Sequence, residues 1–122
     1  MKKILVVEDE QAYSQLLNLQ LTAKGYAVLT AADGEEGLRK IKSEKPDLIL
    51  LDIKMPVMDG MTMLELLRKD PVNKNLKVIL LTNVEPDEKI IGGVVNDMPA
   101  YYFIKSDIQL DDLLAKVKEL LA

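Results

Sequence analysis

Residues 48–60 read "LILLDIKMPVMDG". Leu48–Leu51 form an unbroken hydrophobic run, and a carboxylate, Asp52, stands at its end. An ionised group gains nothing from such a run, so the run reads as a strand that holds Asp52 in a set place. Four further runs of this kind occur, at Ile4–Val7, Ala27–Ala31, Val78–Leu81 and Tyr101–Ile104. Runs that are continuous rather than alternating suit strands covered on both faces.

Stretches with helical spacing lie between the runs. The first covers about Gln11–Lys24, with Ala12, Leu16, Leu19 and Ala23 along one side. Gly25 is a suitable residue to end it, because glycine adopts positive φ without strain. The last covers about Gln109–Leu121, where Leu110, Leu113, Leu114, Val117, Leu120 and Leu121 form an apolar stripe. Asp107, Asp111 and Asp112 crowd its start, where carboxylates complement the helix dipole. A fourth helix near Glu85–Asn96 has the weakest pattern. It carries Gly92 and Gly93, each costing about 1 kcal/mol in a helix interior. Five strands alternating with five helices predict an α/β sandwich with a parallel sheet covered on both faces.

The chain has 122 residues, 48% hydrophobic and 30% charged, which suits one globular domain over 1–122. A formal net charge of −4 argues against direct nucleic-acid binding through a basic surface. Cysteine and histidine are both absent. Zinc fingers, thiol nucleophiles, disulfides and Ser-His-Asp triads are therefore excluded, and any hard cation must be held by oxygen. The opening "MKKILVVEDE" is basic and then apolar, but its apolar run is short and acids follow at once. No stretch approaches the length of a membrane span, so a cytoplasmic protein without membrane contact is expected.

In open parallel sheets, ligands bind beyond the carboxyl ends of the strands, where the strand order reverses. Glu8 and Asp9 follow the first strand and Asp52 ends the third. If these strands are neighbours, three carboxylates converge at one edge. Thr82 ends the fourth strand and Lys105 the fifth. Each residue alone has an ordinary reading: helix cap, solvated acid, strand threonine or surface lysine. Their joint pattern is harder to explain that way. Clustered carboxylates repel and raise one another's pKa, and a divalent cation removes the penalty. Mg²⁺ suits one or two carboxylates, retained waters and a phosphate oxygen. Lysine supplies a positive charge and threonine a donor for phosphoryl oxygens. An aspartate can attack phosphorus and form an aspartyl phosphate, with the metal shielding the approach of one anion to another.

With these positions placed, the chain resembles the receiver domains of bacterial two-component response regulators, in a single-domain form like that of chemotaxis regulators. "ILVVEDE" is similar to the family's first strand and acidic pair, here Glu8 and Asp9. "PDLILLDIKMPVMDG" is similar to the phosphoacceptor strand and its loop, with Asp52 followed by Met55, Pro56, Asp59 and Gly60. "VILLTN" supplies the switch hydroxyl, Thr82, and "YYFIK" the switch aromatic, Tyr102, and Lys105. The resemblance implies a flavodoxin-like (βα)5 sandwich with strand order 2-1-3-4-5. It also implies a phosphorelay signalling role, with a histidine kinase or histidine phosphotransfer protein as donor. Asp52 would be the phosphoacceptor. Mg²⁺, or Mn²⁺ in its place, would be held by Asp9, Asp52 and the backbone carbonyl of Lys54, with Glu8 mainly on a metal-bound water. Lys105 would pair with the new phosphoryl group, and Thr82 would swing to bond it. Tyr102 would then rotate inward and repack the face of helix four, strand five and helix five. Such a domain catalyses its own phosphorylation and dephosphorylation without being a conventional multiple-turnover enzyme.

Several positions depart from the family pattern. Ser106 follows Lys105 where proline is usual, often after a cis bond; a non-proline cis bond costs about 3 kcal/mol, so a trans or strained loop is expected. Asn83 follows the switch threonine where alanine or serine is commoner. Met98-Pro99 replaces a small pair, and Ala100 and Tyr101 replace acids that serve an active-state dimer in one subfamily. A monomer or weak dimer is expected, with an apolar output face that reflects either loop drift or a specialised partner. Lys54 and Val84 border the path of attacking water in the family, and neither orients water well, which predicts a long-lived phosphorylated state. A phosphatase of the haloacid dehalogenase type needs a second aspartate where Lys54 stands. A degenerate receiver that binds partners without phosphorylation is the alternative, opposed by five intact chemical positions. No output domain fits in 122 residues. A stand-alone receiver, a relay intermediate, or a piece of a longer chain with a downstream effector or fused output domain all remain open.

Overall fold

In the computed structural model, which describes residues 1–122, the hydrophobic runs form the strands expected of them. These are β1 (Lys3–Val7), β2 (Ala27–Ala31), β3 (Leu48–Leu51), β4 (Lys77–Thr82) and β5 (Tyr101–Ile104). Five helices alternate with them: α1 (Gln11–Ala23), α2 (Gly34–Glu44), α3 (Gly60–Lys69), α4 (Glu88–Asp97) and α5 (Leu110–Leu121). All pairings are parallel and the order is β2-β1-β3-β4-β5. This is the flavodoxin-like order the resemblance implies.

Strand alternation sorts the core into two layers. Ile4, Val6, Leu48, Leu50, Ile79 and Leu81 face one side and pack with Leu17 and Leu21 of α1 and Leu113 and Val117 of α5. Leu5, Val7, Ile49, Leu51, Val78 and Leu80 face the other and meet α2, α3 and α4 through Ile41, Met63, Leu64, Leu67, Ile90 and Val94. The central strands β1, β3 and β4 are buried almost throughout, whereas the edge strands β2 and β5 are only half-buried. No helix is long and apolar enough to cross a membrane.

Two helices differ from expectation. The buried side of α1 is Ser14, Leu17 and Leu21, not the stripe through Ala12, Leu16, Leu19 and Ala23; Leu16 and Leu19 are 41% and 68% exposed. Leucines stand on both stripes, and β1 and β2 choose the one that reaches the sheet. Helix α4 begins at Glu88, later than the expected Glu85, because the Asp87 side chain accepts from the Ile90 N–H at 2.9 Å and fixes the first turn there. Gly25 follows α1 with φ 95°, as its place after the helix requires.

Candidate functional site

The parallel register brings the strand ends to one edge. Val7 aligns with both Ala31 and Leu51, so Glu8 and Asp52 emerge side by side. The ladder continues one step past each strand. Glu8 N–H donates to the Ala31 carbonyl at 2.9 Å, Asp52 N–H to Val7 at 3.0 Å, and Lys105 N–H to Thr82 at 2.9 Å. By alternation Glu8, Asp52 and Lys105 share the α1/α5 side of the sheet, whereas Thr82 and Tyr102 share the α4 side.

Glu8, Asp9 and Asp52 place carboxylate oxygens within 4.8 Å of one another. Glu8 and Asp52 are buried and Asp9 is exposed. The Lys105 ammonium bonds Glu8 Oε1 and lies 3.1 Å from Asp52 Oδ2. Asp52 Oδ1 accepts from the Ile53 N–H at 2.7 Å, and Glu8 Oε2 from the Glu10 N–H at 3.0 Å. Burial would lower the Lys105 pKa, but its bonds to the two carboxylates outweigh burial and raise it, so the lysine stays charged. Burial pushes Glu8 up to about 7, against the bonds from Lys105 and Glu10. The Lys54 carbonyl takes no protein hydrogen bond. An all-oxygen donor set with one exposed member suits a hard divalent cation. The arrangement is therefore an acidic cluster whose donors fit a divalent cation, with a lysine inside it.

The loop after Asp52 is built to hold it. Asp59 caps α3 by accepting from the Thr62 N–H at 2.8 Å. Gly60 N–H donates to the Ile53 carbonyl at 2.8 Å, and any Cβ on Gly60 would run into the Asp52 carbonyl. The Asp-Gly pair is thus a cap and a close approach that together press the head of α3 against the end of β3. Val57, at φ 66°, takes a left-handed conformation that is strained for a β-branched residue.

Thr82 is fully buried, and its Oγ1 accepts from the Val84 N–H at 3.3 Å. The Tyr102 hydroxyl donates to the Val84 carbonyl at 2.6 Å, so threonine and tyrosine meet through one residue. The Lys105–Ser106 peptide is trans. Ser106 N–H donates to Asn83 Oδ1 at 3.1 Å, a donor that a proline would lack. Asn83 and Ser106 each read as an isolated departure in the sequence; in the fold they are partners. Replacing Asn83 with alanine is expected to speed exchange of the Ser106 amide proton about threefold to tenfold, the size of a hydrogen bond of about 1 kcal/mol. Unchanged protection by NMR exchange would show that the bond does not persist in solution. Sequence reasoning also missed Tyr13, whose ring lies 4.7 Å from the Lys105 ammonium.

Comparison with known proteins agrees with this fold. The family model for the response regulator receiver domain matches residues 4–118. The alkaline phosphatase synthesis transcriptional regulatory protein PhoP of Bacillus subtilis is 42% identical over 92 residues, 75% of this chain and 38% of that protein. This chain spans 26% to 53% of the length of such curated relatives. A CheY-like response regulator receiver domain protein from Methanospirillum hungatei superposes with a TM-score of 0.88 at 34% identity, over 98% of this chain and 92% of that one. The response regulator TrrA of Thermotoga maritima, solved in complex with Mg²⁺ and BeF, gives 0.85 at 38% identity, over 98% and 99%.

Proposed function

This chain belongs to the response regulator receiver domain family, and from that premise we propose that Asp52 is its phosphoacceptor. The observation that carries the reading is the convergence of Glu8, Asp9, Asp52, Thr82 and Lys105 on one strand-end edge. A carboxylate oxygen of Asp52 attacks the phosphorus of a phosphohistidine on a histidine kinase or phosphotransfer protein. The new O–P bond forms as the P–N bond breaks, and the imidazole leaves with a proton. The Ile53 N–H holds one oxygen of Asp52 and the Lys105 ammonium the other, so the nucleophile enters in a fixed orientation. Asp9, Asp52 and the Lys54 carbonyl would hold Mg²⁺, with Glu8 on a bound water. When bound, the ion supplies positive charge that offsets repulsion between carboxylate and phosphoryl oxygens.

Lys105 already bonds Asp52 and follows the new phosphoryl group as an ion pair. Thr82 exchanges its Val84 contact for a bond to a phosphoryl oxygen. That frees the Val84 segment, to which the Tyr102 hydroxyl is tied. The phosphoryl group then favours whichever arrangement of Thr82, Val84 and Tyr102 binds it more tightly. The readout face carries exposed Ile91 and Val95 on α4 and exposed Met98 at its C-cap, and across the edge strand β5 a Tyr101–Phe103 ring stack with centroids 5.1 Å apart faces α5. An apolar effector surface, or an output domain in a longer chain, fits that face. The chain acts as one receiver domain over 1–122, without direct nucleic-acid contact.

Intact mass after incubation with acetyl phosphate tests the proposal. One phosphoryl group is expected to add in Mg²⁺, not in chelator, and not to Asp52→Asn. The competing reading, a binding module independent of phosphorylation, takes over if neither acetyl phosphate nor a phosphohistidine protein donor adds mass.

A further inference from the structure

Lys105 has a third neighbour that phosphoryl transfer leaves without a task. Its ammonium lies over the ring of Tyr13, 4.7 Å from the centroid. Tyr13 comes from the first turns of α1, and its ring is anchored against the α1/α5 core. The ammonium is thus held on three sides, by Glu8, by Asp52 and by an aromatic face. The Lys105 side chain is only 10% exposed. We propose that Tyr13 is a positioning residue that aims the Lys105 ammonium at Asp52 through the face of its ring.

The inference rests on Asp52 being the phosphoacceptor. A lysine has a long flexible stem, and its ammonium is a point charge that any nearby anion can claim. Glu8 and Asp52 compete for it here. To pair with a phosphoryl group on Asp52, the ammonium must move away from Glu8 without leaving the site. A third carboxylate would bind it as tightly as Glu8 does and would repel the incoming phosphoryl group. An aliphatic side chain would not attract it. A ring face attracts a cation across its whole area with little directional demand, and most strongly where water is excluded. The ammonium can therefore slide over the ring from Glu8 towards Asp52 and keep one contact throughout. The plain reading is that Tyr13 fills space between α1 and the sheet. That reading needs the ring's shape; the proposal needs its electrons.

The experiment separates shape from electrons. The 122-residue chain carries tyrosine, phenylalanine or 3,4,5-trifluorophenylalanine at position 13, the last with nearly the same shape but a weakened negative face. NMR reads the Lys105 ε-methylene protons, and mass spectrometry reads the rate of phosphorylation by acetyl phosphate in Mg²⁺. The ε-protons are expected to be shifted upfield by the ring in all three proteins. The Tyr13→Phe rate is expected to stay within about twofold of wild type, and the trifluoro rate to fall about threefold to tenfold, matching a cation–π attraction of about 1 kcal/mol. Equal rates for phenylalanine and its trifluoro analogue would overturn the proposal, as would unshifted ε-protons in wild type. If wild type takes no phosphoryl group from acetyl phosphate or from a phosphohistidine protein donor, the phosphoacceptor reading falls and the role of Tyr13 with it, while the ring-current shift still reports the contact by itself.

Discussion

Gly60→Ala is expected to destabilise the protein by about 3 kcal/mol and to slow phosphorylation of Asp52. The added Cβ would overlap the Asp52 carbonyl oxygen and stand 2.9 Å from both the Asp52 carbonyl carbon and Ile53 Cα. All three are backbone atoms of the strand end that presents Asp52, and none can rotate away. Relief requires α3 to lift off β3, which stretches the 2.8 Å bond from Gly60 N–H to the Ile53 carbonyl. Overpacking a tight site costs about 1–3 kcal/mol, and rigid neighbours place this case at the upper end. Gly92→Ala is the internal control. A Cβ there meets nothing within 4 Å and φ is not positive, so the same chemical change should stabilise α4 by about 1 kcal/mol. Urea unfolding of both variants measures the contrast. If the two shifts have the same sign, the close approach of α3 to Asp52 is not a constraint on the fold.

The sequence was most legible where one physical demand dominated. Buried strands admit few alternatives to continuous branched residues, so all five appeared at their places, within a residue or two at the ends. The chemical groups were legible because each closes a strand. Parallel pairing then sends Glu8, Asp52 and Lys105 to one edge whatever the loops do. Legibility failed where two solutions were equally apolar. Helix α1 carries Leu16 and Leu19 on one stripe and Leu17 and Leu21 on another, and only the sheet beneath selects the second. It failed again where a contact joins residues distant in the chain. Asn83 and Ser106 looked like separate losses of the family pattern until the fold made them donor and acceptor. Tyr13 drew no reading from the sequence, because nothing local shows that the lysine following β5 will lie across its ring.

Lys105→Met is expected to destabilise the metal-free protein by about 2 kcal/mol at pH 8, and the loss should shrink as pH falls towards 4.5. The side chains of Glu8 and Asp52 are 3% and 9% exposed, and Lys105 is the cation between them. Removing one partner of a buried charge set costs about 3–5 kcal/mol when the remaining charge has no escape. Here it has one, because Glu8 can take up a proton. Burial already lifts its folded pKa from 4.5 to about 7, and loss of the ammonium lifts it further. A carboxyl with a raised folded pKa contributes its full stability below the unfolded value and loses it as pH rises through the folded value. The variant and wild type therefore converge near pH 4.5 and separate above pH 7. Added Mg²⁺ should narrow the gap at pH 8, since a cation held by Asp9 and Asp52 supplies the positive charge that methionine lacks. Phosphorylation should not recover with stability. In the proposed function Lys105 is the ion-pair donor for the phosphoryl group, and a charged hydrogen bond of about 1.5–3 kcal/mol corresponds to a fall of tenfold to a hundredfold in rate. Urea unfolding from pH 4.5 to 8, in chelator and in Mg²⁺, together with the acetyl phosphate rate, reads every part of this. Equal stability at pH 8 in chelator would mean that the lysine does not compensate the acidic cluster. Full recovery of rate in Mg²⁺ would mean that the ion alone serves the phosphoryl group.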